Sequence, residues 1–244
     1  FYSKENELTG VFIPKSVISA DGFAGGKNIQ KIVIEEGVQN IPAQAFRKCI
    51  GLTSITIPDT ITSIGQFAFY DCNKLESIKL SDKISSIERY TFEGCRSLKN
   101  IIIPKGVTNI DKYAFYNCSS LENITVAKEN SKYDSRNNCN AIIETDTNIL
   151  IHGGNKTIIP NSVTKIGEEA FNRRMLTDIV IPDGVTDIGE SSFYFCSKLT
   201  SITIPKSITN IAEFAFRYCD NLSAVNYTGT AEEIRLPQTI GDVT

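Results

Sequence analysis

The sequence predicts an α/β repeat solenoid, a stack of short coils that each give one strand to a parallel β-sheet and one short helical turn or loop to the other side. Two columns of residues and one alternation predict it. Phenylalanine recurs as Phe46, Phe69, Phe92, Phe115, Phe171, Phe193 and Phe216, in steps of 23, 23, 23, 56, 22 and 23 residues. The last aliphatic residue of each apolar run recurs as Ile13, Ile34, Ile57, Leu80, Ile103, Val126, Ile159, Ile181 and Ile204, with Tyr227 closing the series. Its one long step, 33 residues from Val126 to Ile159, marks a single coil with about ten extra residues, after which the register resumes. Units of this period have one apolar side that none can bury alone, so neighbours must share a continuous core. The whole chain, 1–244, reads as one solenoid of about ten coils.

Within a coil, Leu75-Glu76-Ser77-Ile78-Lys79-Leu80 alternates apolar and polar residues, the pattern of a half-buried strand. Pro58, Pro104, Pro160, Pro182 and Pro205 end such strands, because proline has no amide to donate to the ladder. The following stretch, Ile64 to Cys72, sets Ala68 and Cys72 four apart and Phe69 and Cys72 three apart, one face of a short helical turn. The first coil, 8–30, is degenerate: Phe23 comes two positions early among Gly22, Gly25 and Gly26, as befits a cap. The insertion, 127–155, opens with a polar loop that Tyr133 can anchor. Ala141-Ile142-Ile143-Glu144 and Asn148-Ile149-Leu150-Ile151 then flank Thr145-Asp146-Thr147 as a β-hairpin. In the coil from Ile159 the cysteine position holds Arg174, and a closing segment, 228–244, offers Thr230 and Glu233 as a capping box.

The pattern L-x-x-I-x-I-P-x-x-V-T-x-I-G-x-x-A-F-x-x-C, from about Leu8 to Tyr227, resembles the BspA-type leucine-rich repeat, a 23-residue variety met in surface proteins of anaerobic bacteria and some parasitic protists. The resemblance implies a right-handed superhelix with the parallel sheet on its concave side. It also implies an adhesin-like, extracellular or cell-surface role toward a host or matrix protein. The family is defined by a scaffold, so function must be argued from the sites it displays.

Composition narrows those sites. With 25 Lys+Arg against 28 Asp+Glu and a net charge of -3, the chain lacks the clustered positive charge that nucleic acid or anionic lipid demands. No apolar run approaches the ~18 residues of a spanning helix, so no membrane insertion is expected. One histidine and no tryptophan leave few groups for catalysis. No signal peptide is read at Phe1, and a monomer is expected.

Cys49, Cys72, Cys95, Cys118, Cys196 and Cys219 each follow the phenylalanine column by three residues, and Cys139 stands apart in the insertion. A ladder in the core register favours packing over disulfides or a metal, and no C-x-x-C pair exists. His152 could pair with Cys139 as base and nucleophile, but no motif supports it, and Gly153-Gly154 reads as a turn and not a phosphate loop. No catalytic, cofactor-binding or metal-binding residue is therefore assigned. The outward strand positions form two columns on the concave face. One runs Lys31, Ser54, Ser77, Asn100, Asn123, Lys156, Asp178, Ser201, Ala224. The other runs Val33, Thr56, Lys79, Ile102, Thr125, Ile158, Val180, Thr203, Asn226. These residues, from Ser54 to Thr203, are the candidate protein-binding face, and the insertion is the candidate protrusion, with Tyr133, Arg136 and His152 as its contacts. The turns on the far side are read as serving the core. The reading is a non-enzymatic interaction module without a cofactor, its alternative a passive spacer within a larger surface protein.

Overall fold

Each period builds two short strands, where the sequence pattern predicts one strand and a helical turn. The computed structural model of the chain describes residues 10–15 and 23–229, which fall into two compact units, one ending at Ser119 and one beginning at Ser120. In the first unit the strands are β1 Gly10–Ile13, β2 Lys31–Ile34, β3 Asn40–Ile41, β4 Ser54–Thr56, β5 Ser63–Ile64, β6 Ser77–Ile78, β7 Ser86–Ile87, β8 Asn100–Ile103 and β9 Asn109–Ile110. The sequence-predicted column pairs in parallel as β1 with β2, β2 with β4, and β6 with β8. A second parallel column, β3 with β5 and β7 with β9, comes from the V-T-x-I-G half of the repeat. That half offers only one polar and one buried residue per strand, Asn40 and Ile41 for instance, too few for an alternation to show.

The second unit contains β10 Asn123–Val126, β11 Tyr133–Asp134, β12 Ala141–Glu144, β13 Ile149–Gly153, β14 Lys165–Ile166, β15 Asp178–Val180, β16 Asp187–Ile188, β17 Ser201–Ile204, β18 Asn210–Ile211 and β19 Ala224–Tyr227. β15, β17 and β19 are parallel neighbours. A six-stranded sheet runs β11-β12-β13-β14-β16-β18, antiparallel through the hairpin and parallel from β13 onward. Both units are parallel-strand β-solenoids of the leucine-rich-repeat kind, with about nine turns in all. The first coil is described only in part, and the capping box at Thr230 and Glu233 lies outside the described residues.

The α component of the predicted class is corrected: no α-helix forms among the described residues. The reason is where the backbone amides go. Around Phe69, the amides of Phe69 and Asp71 donate to Thr91 and Glu93 of the next coil, at 2.9 and 2.7 Å. Between them, the amides of Tyr70 and Cys72 turn back onto Phe67 and Phe69, each at 3.1 Å. This alternation of inter-coil and local bonds satisfies every other donor outside the arc. It needs two left-handed residues per arc, such as Phe67 (φ 58°) and Asp71 (φ 54°), which no helix tolerates. The coils approach closely enough that a Cβ on Gly65 would lie 2.5 Å from the Ala43 nitrogen.

Strand alternation then buries one edge of each coil. In β8, Ile101 and Ile103 are buried while Asn100 and Ile102 face out. Phe46, Phe69, Phe92 and Phe115 stack with ring centres 5.4 to 5.6 Å apart. Phe171, Phe193 and Phe216 do the same at 4.9 and 5.2 Å. Offset stacks of this kind add to the large apolar area each ring withdraws from water.

Candidate functional site

The parallel register places the outward strand residues side by side. In the first unit Lys31 lies opposite Ser54, Val33 opposite Thr56, and Ser77 opposite Asn100. Lys79 and Asp59 approach to 3.8 Å with both side chains well exposed, a pair worth little in water. In the second unit Asp178, Ser201 and Ala224 form one row and Val180, Thr203 and Asn226 the next. Asn123 and Thr125 belong to β10, whereas Lys156 and Ile158 stand outside any strand, with Lys156 ion-paired to Glu122. Three large aliphatic side chains on these columns reach solvent: Ile102 at 61%, Ile158 at 75% and Val180 at 65% exposure. Beside Val180 a shallow groove is lined by Asn161, Pro182, Asp183, Thr203, Pro205 and Thr228.

The protrusion reading needs correction. β13 pairs in parallel with β14, Ile149 beside Lys165 and Leu150 beside Ile166, so the insertion continues the second strand column and is not a free loop. Tyr133 and His152 are buried, at 5% and 1% exposure, and are closed to any partner. Arg136 is forked onto Asp134, with its Nη1 also donating to Asn148 at 2.7 Å. Burial works against the Asp134 carboxylate, but the hydrogen bonds from Arg136 outweigh it and hold its pKa below the ordinary value. The Thr147 hydroxyl and then Lys132 hold that of Glu144 down as well. These charges fasten the hairpin to itself.

The cysteines form the expected ladder and do one thing more. All seven are buried thiols that form no disulfide. Each ladder thiol from Cys72 onward donates to the carbonyl of the phenylalanine one coil back, Cys72 to Phe46 at 3.1 Å and Cys196 to Phe171 at 3.0 Å. Burial raises the Cys72 and Cys95 thiols well above their ordinary range, which removes them from nucleophilic chemistry. Burial likewise raises Cys139. Among the described residues no group of three or more His, Cys, Asp or Glu side chains is placed to hold a metal ion.

Arg174 takes the thiol's post where the register restarts. Its buried guanidinium donates from Nε to the Gly153 carbonyl at 2.7 Å and from Nη1 to the Asn172 carbonyl at 3.3 Å. Gly153 is not in a turn, as expected, but ends β13, and a Cβ there would lie 2.0 Å from the Phe171 ring. Glycine is needed because Phe171 packs directly on this backbone.

The sequence reading missed a second set of surface residues, on the turn arcs. In the first unit Phe67 lies tilted against Tyr90 at 5.1 Å, and Tyr90 stacks on Tyr113 at 5.2 Å. The Arg89 guanidinium sits 4.7 Å above Tyr90 and 5.0 Å from Tyr113, and Lys112 lies 5.2 Å above Tyr113. In the second unit Arg173 covers Phe195 at 4.4 Å and Arg217 covers Phe214 and Tyr218, each at 4.9 Å. Phe67, Tyr90, Phe195, Phe214 and Tyr218 all hold left-handed backbones, φ 57 to 60°. That conformation costs a bulky residue about 1 to 2 kcal/mol, and ring stacking returns about 0.5 to 1.5 kcal/mol, so stability alone does not select aromatics over Asn or Gly there. The signal was present in the sequence as aromatics two places before the phenylalanine column, at Phe67, Tyr90, Tyr113 and Phe214, and two places after it, at Phe195 and Tyr218.

The profile of the BspA type leucine rich repeat region matches the chain in 6 copies, over residues 16–142 and 154–236. No curated protein matches it. Among solved structures, the chain is similar to a leucine-rich repeat protein from Eubacterium ventriosum, at 25% identity and TM-score 0.66 over 91% of this chain and 68% of that one. It is also similar to a leucine rich cell surface protein from Faecalibacterium prausnitzii, at 24% identity and TM-score 0.55 over 94% and 82% of the two chains. The pneumococcal vaccine antigen PcpA gives 18% identity and TM-score 0.67 over 90% and 62%. The last two likenesses show the fold alone. The repeat profile accounts for most of the sequence, the Phe–Cys ladder and the strand register it predicts are the ones found, and the chain belongs to the BspA-type leucine-rich-repeat family.

Proposed function

We propose that this chain is a non-enzymatic interaction module of an extracellular or cell-surface protein, docking a protein partner through the outward strand residues of its units. One observation carries the reading: Ile102, Ile158 and Val180 stand mostly exposed on columns where Thr56, Thr125 and Thr203 satisfy the strand equally well. β-propensity does not require isoleucine at these positions, and exposed aliphatics give up free energy until a partner covers them. Within each unit the exposed aliphatics stand among hydroxyls and amides, with Lys79 in the first and Lys156 and Asp178 in the second, the mixed character of a non-obligate protein interface. The family supports the repeat module, and its occurrence in surface proteins supports the location.

Two variants test it by surface-immobilised binding to a panel of matrix proteins, with circular dichroism to verify folding. In one, Thr56, Lys79 and Ile102 are changed to Glu; in the other, Ile158 and Val180 are. The unmodified chain is expected to bind at least one protein and at least one of the two variants to lose that binding; folded variants that both keep it would overturn the strand-face reading. Unmodified protein that binds none of the panel would leave the spacer reading in place.

A further inference from the structure

We propose that the turn arcs of the first unit form a second docking surface, which takes an acidic peptide segment of a partner protein. The inference does not rest on the strand-face reading. It starts from the column Phe67, Tyr90 and Tyr113, whose rings lie in contact, the first pair tilted and the second stacked. Arg89 lies over the Tyr90 and Tyr113 rings and Lys112 over Tyr113, so the ring faces of these two tyrosines already carry cations. A saccharide, which needs an open ring face, finds little here.

Charge points the same way. Lys48, Arg89, Arg96 and Lys112 are exposed on these arcs, whereas Asp71, Glu88, Glu93 and Asp111 are only half-exposed. Two of those acids have inward employment: Glu88 accepts from the Ser86 hydroxyl at 2.6 Å and Asp111 from the Tyr113 amide at 2.8 Å. What a partner meets first is therefore cationic. Arg89 is held in place by its stacking and by donating to the Tyr90 hydroxyl at 3.0 Å. A guanidinium ordered in this way has less freedom to lose when its remaining donors fork onto a carboxylate. Tyrosine and arginine are also the residues that dominate protein–protein hot spots. Holding Phe67 and Tyr90 in the left-handed region is a local cost that a contact surface explains.

The test is fluorescence anisotropy of the whole chain with three probes: a labelled decapeptide alternating Glu and Tyr, its Lys/Tyr counterpart, and a sulfated heparin octasaccharide. The acidic peptide is expected to bind best, more weakly as salt rises. Arg89→Glu with Lys112→Glu should weaken it by about tenfold or more. Tyr90→Asn, which keeps a left-handed-tolerant residue, should weaken it several-fold, and the strand-face change of Thr56, Lys79 and Ile102 to Glu should leave it unaltered. Melting curves verify each fold, and Arg89→Gln with Lys112→Gln serves if the reversed pair does not fold. Equal binding of the basic peptide, binding of the octasaccharide alone, or an unchanged affinity in the folded Arg89/Lys112 variants would overturn the proposal.

Discussion

The two units obey one register but handle it differently. In the first, the coils from Pro42 to Cys118 repeat without interruption, and every ladder thiol meets a phenylalanine carbonyl one coil back. In the second, the repeat restarts on a hairpin, and Arg174 reaches the Gly153 carbonyl where a cysteine would have met a phenylalanine. What the register requires at this post is a buried donor for a buried carbonyl. Its chemical identity is free so long as its length fits. The arcs differ too: the column that reads Gln66, Arg89, Lys112 in the first unit reads Glu168, Glu190, Glu213 in the second, and all six are exposed. One core pattern thus carries two different surfaces.

The sharpest test of the regular unit is Phe92→Ala or Phe115→Ala, each expected to cost about 3 to 5 kcal/mol, because a stacked and fully buried ring leaves a cavity. Phe216, only partly buried at the far end of its stack, should cost less; equal denaturant midpoints for Phe92→Ala and wild type would break the account of the core. At the restart, Arg174→Ala should cost about 2 to 4 kcal/mol, through a cavity and an orphaned Gly153 carbonyl. If chemical denaturation shows no loss there, the thiol post is not what holds the register. Gly153→Ala should cost about 1 to 3 kcal/mol by overpacking Phe171, and a neutral result would mean that the ring has room to move.

Acid should separate the units as well. Asp134 and Glu144 have pKa values lowered by folding. Their support is therefore present above the ordinary carboxylate pKa of about 4 and is lost as pH falls through the lowered folded values. Amide protection factors in the 133–149 hairpin, taken against the intrinsic exchange rate at each pH, are expected to fall below about pH 4 before those of the first unit do; protection lost in both units together would contradict it. The smallest effect belongs to Lys79→Ala, within about 0.5 kcal/mol of wild type by melting, because its ion pair with Asp59 lies in solvent.

How much of this the sequence displays follows from how many residues each feature uses. The strand Leu75 to Leu80 spans enough residues for its alternation to be read, and the phenylalanine and cysteine columns recur too often to miss. The second strand column was illegible, since Ser63 and Ile64 alone carry no period. The helical turn was misread because Ala68, Phe69 and Cys72 share a face in a helix and share it equally in an arc hydrogen-bonded to its neighbours. Arg174 stood out as a departure from the ladder, but its partner Gly153 lies 21 residues earlier and was named for another reason. On the candidate surfaces, the strand columns could be numbered from the pattern. The burial of Tyr133 and His152, and the ring contacts of Phe67, Tyr90 and Tyr113, depend on how coils sit on one another, which a single coil's sequence does not encode.

The central claim is that the arcs are closed by hydrogen bonds from coil to coil and so give the surfaces a rigid base. Residue-resolved amide hydrogen exchange tests it most directly. The account predicts that Phe69, Asp71, Phe92 and Gly94 in the first unit, and Phe193 and Phe195 in the second, exchange as slowly as the strand residues Ile78 and Ile202, and only when the unit unfolds. Arc amides that exchange at loop rates while the strands remain protected would contradict it.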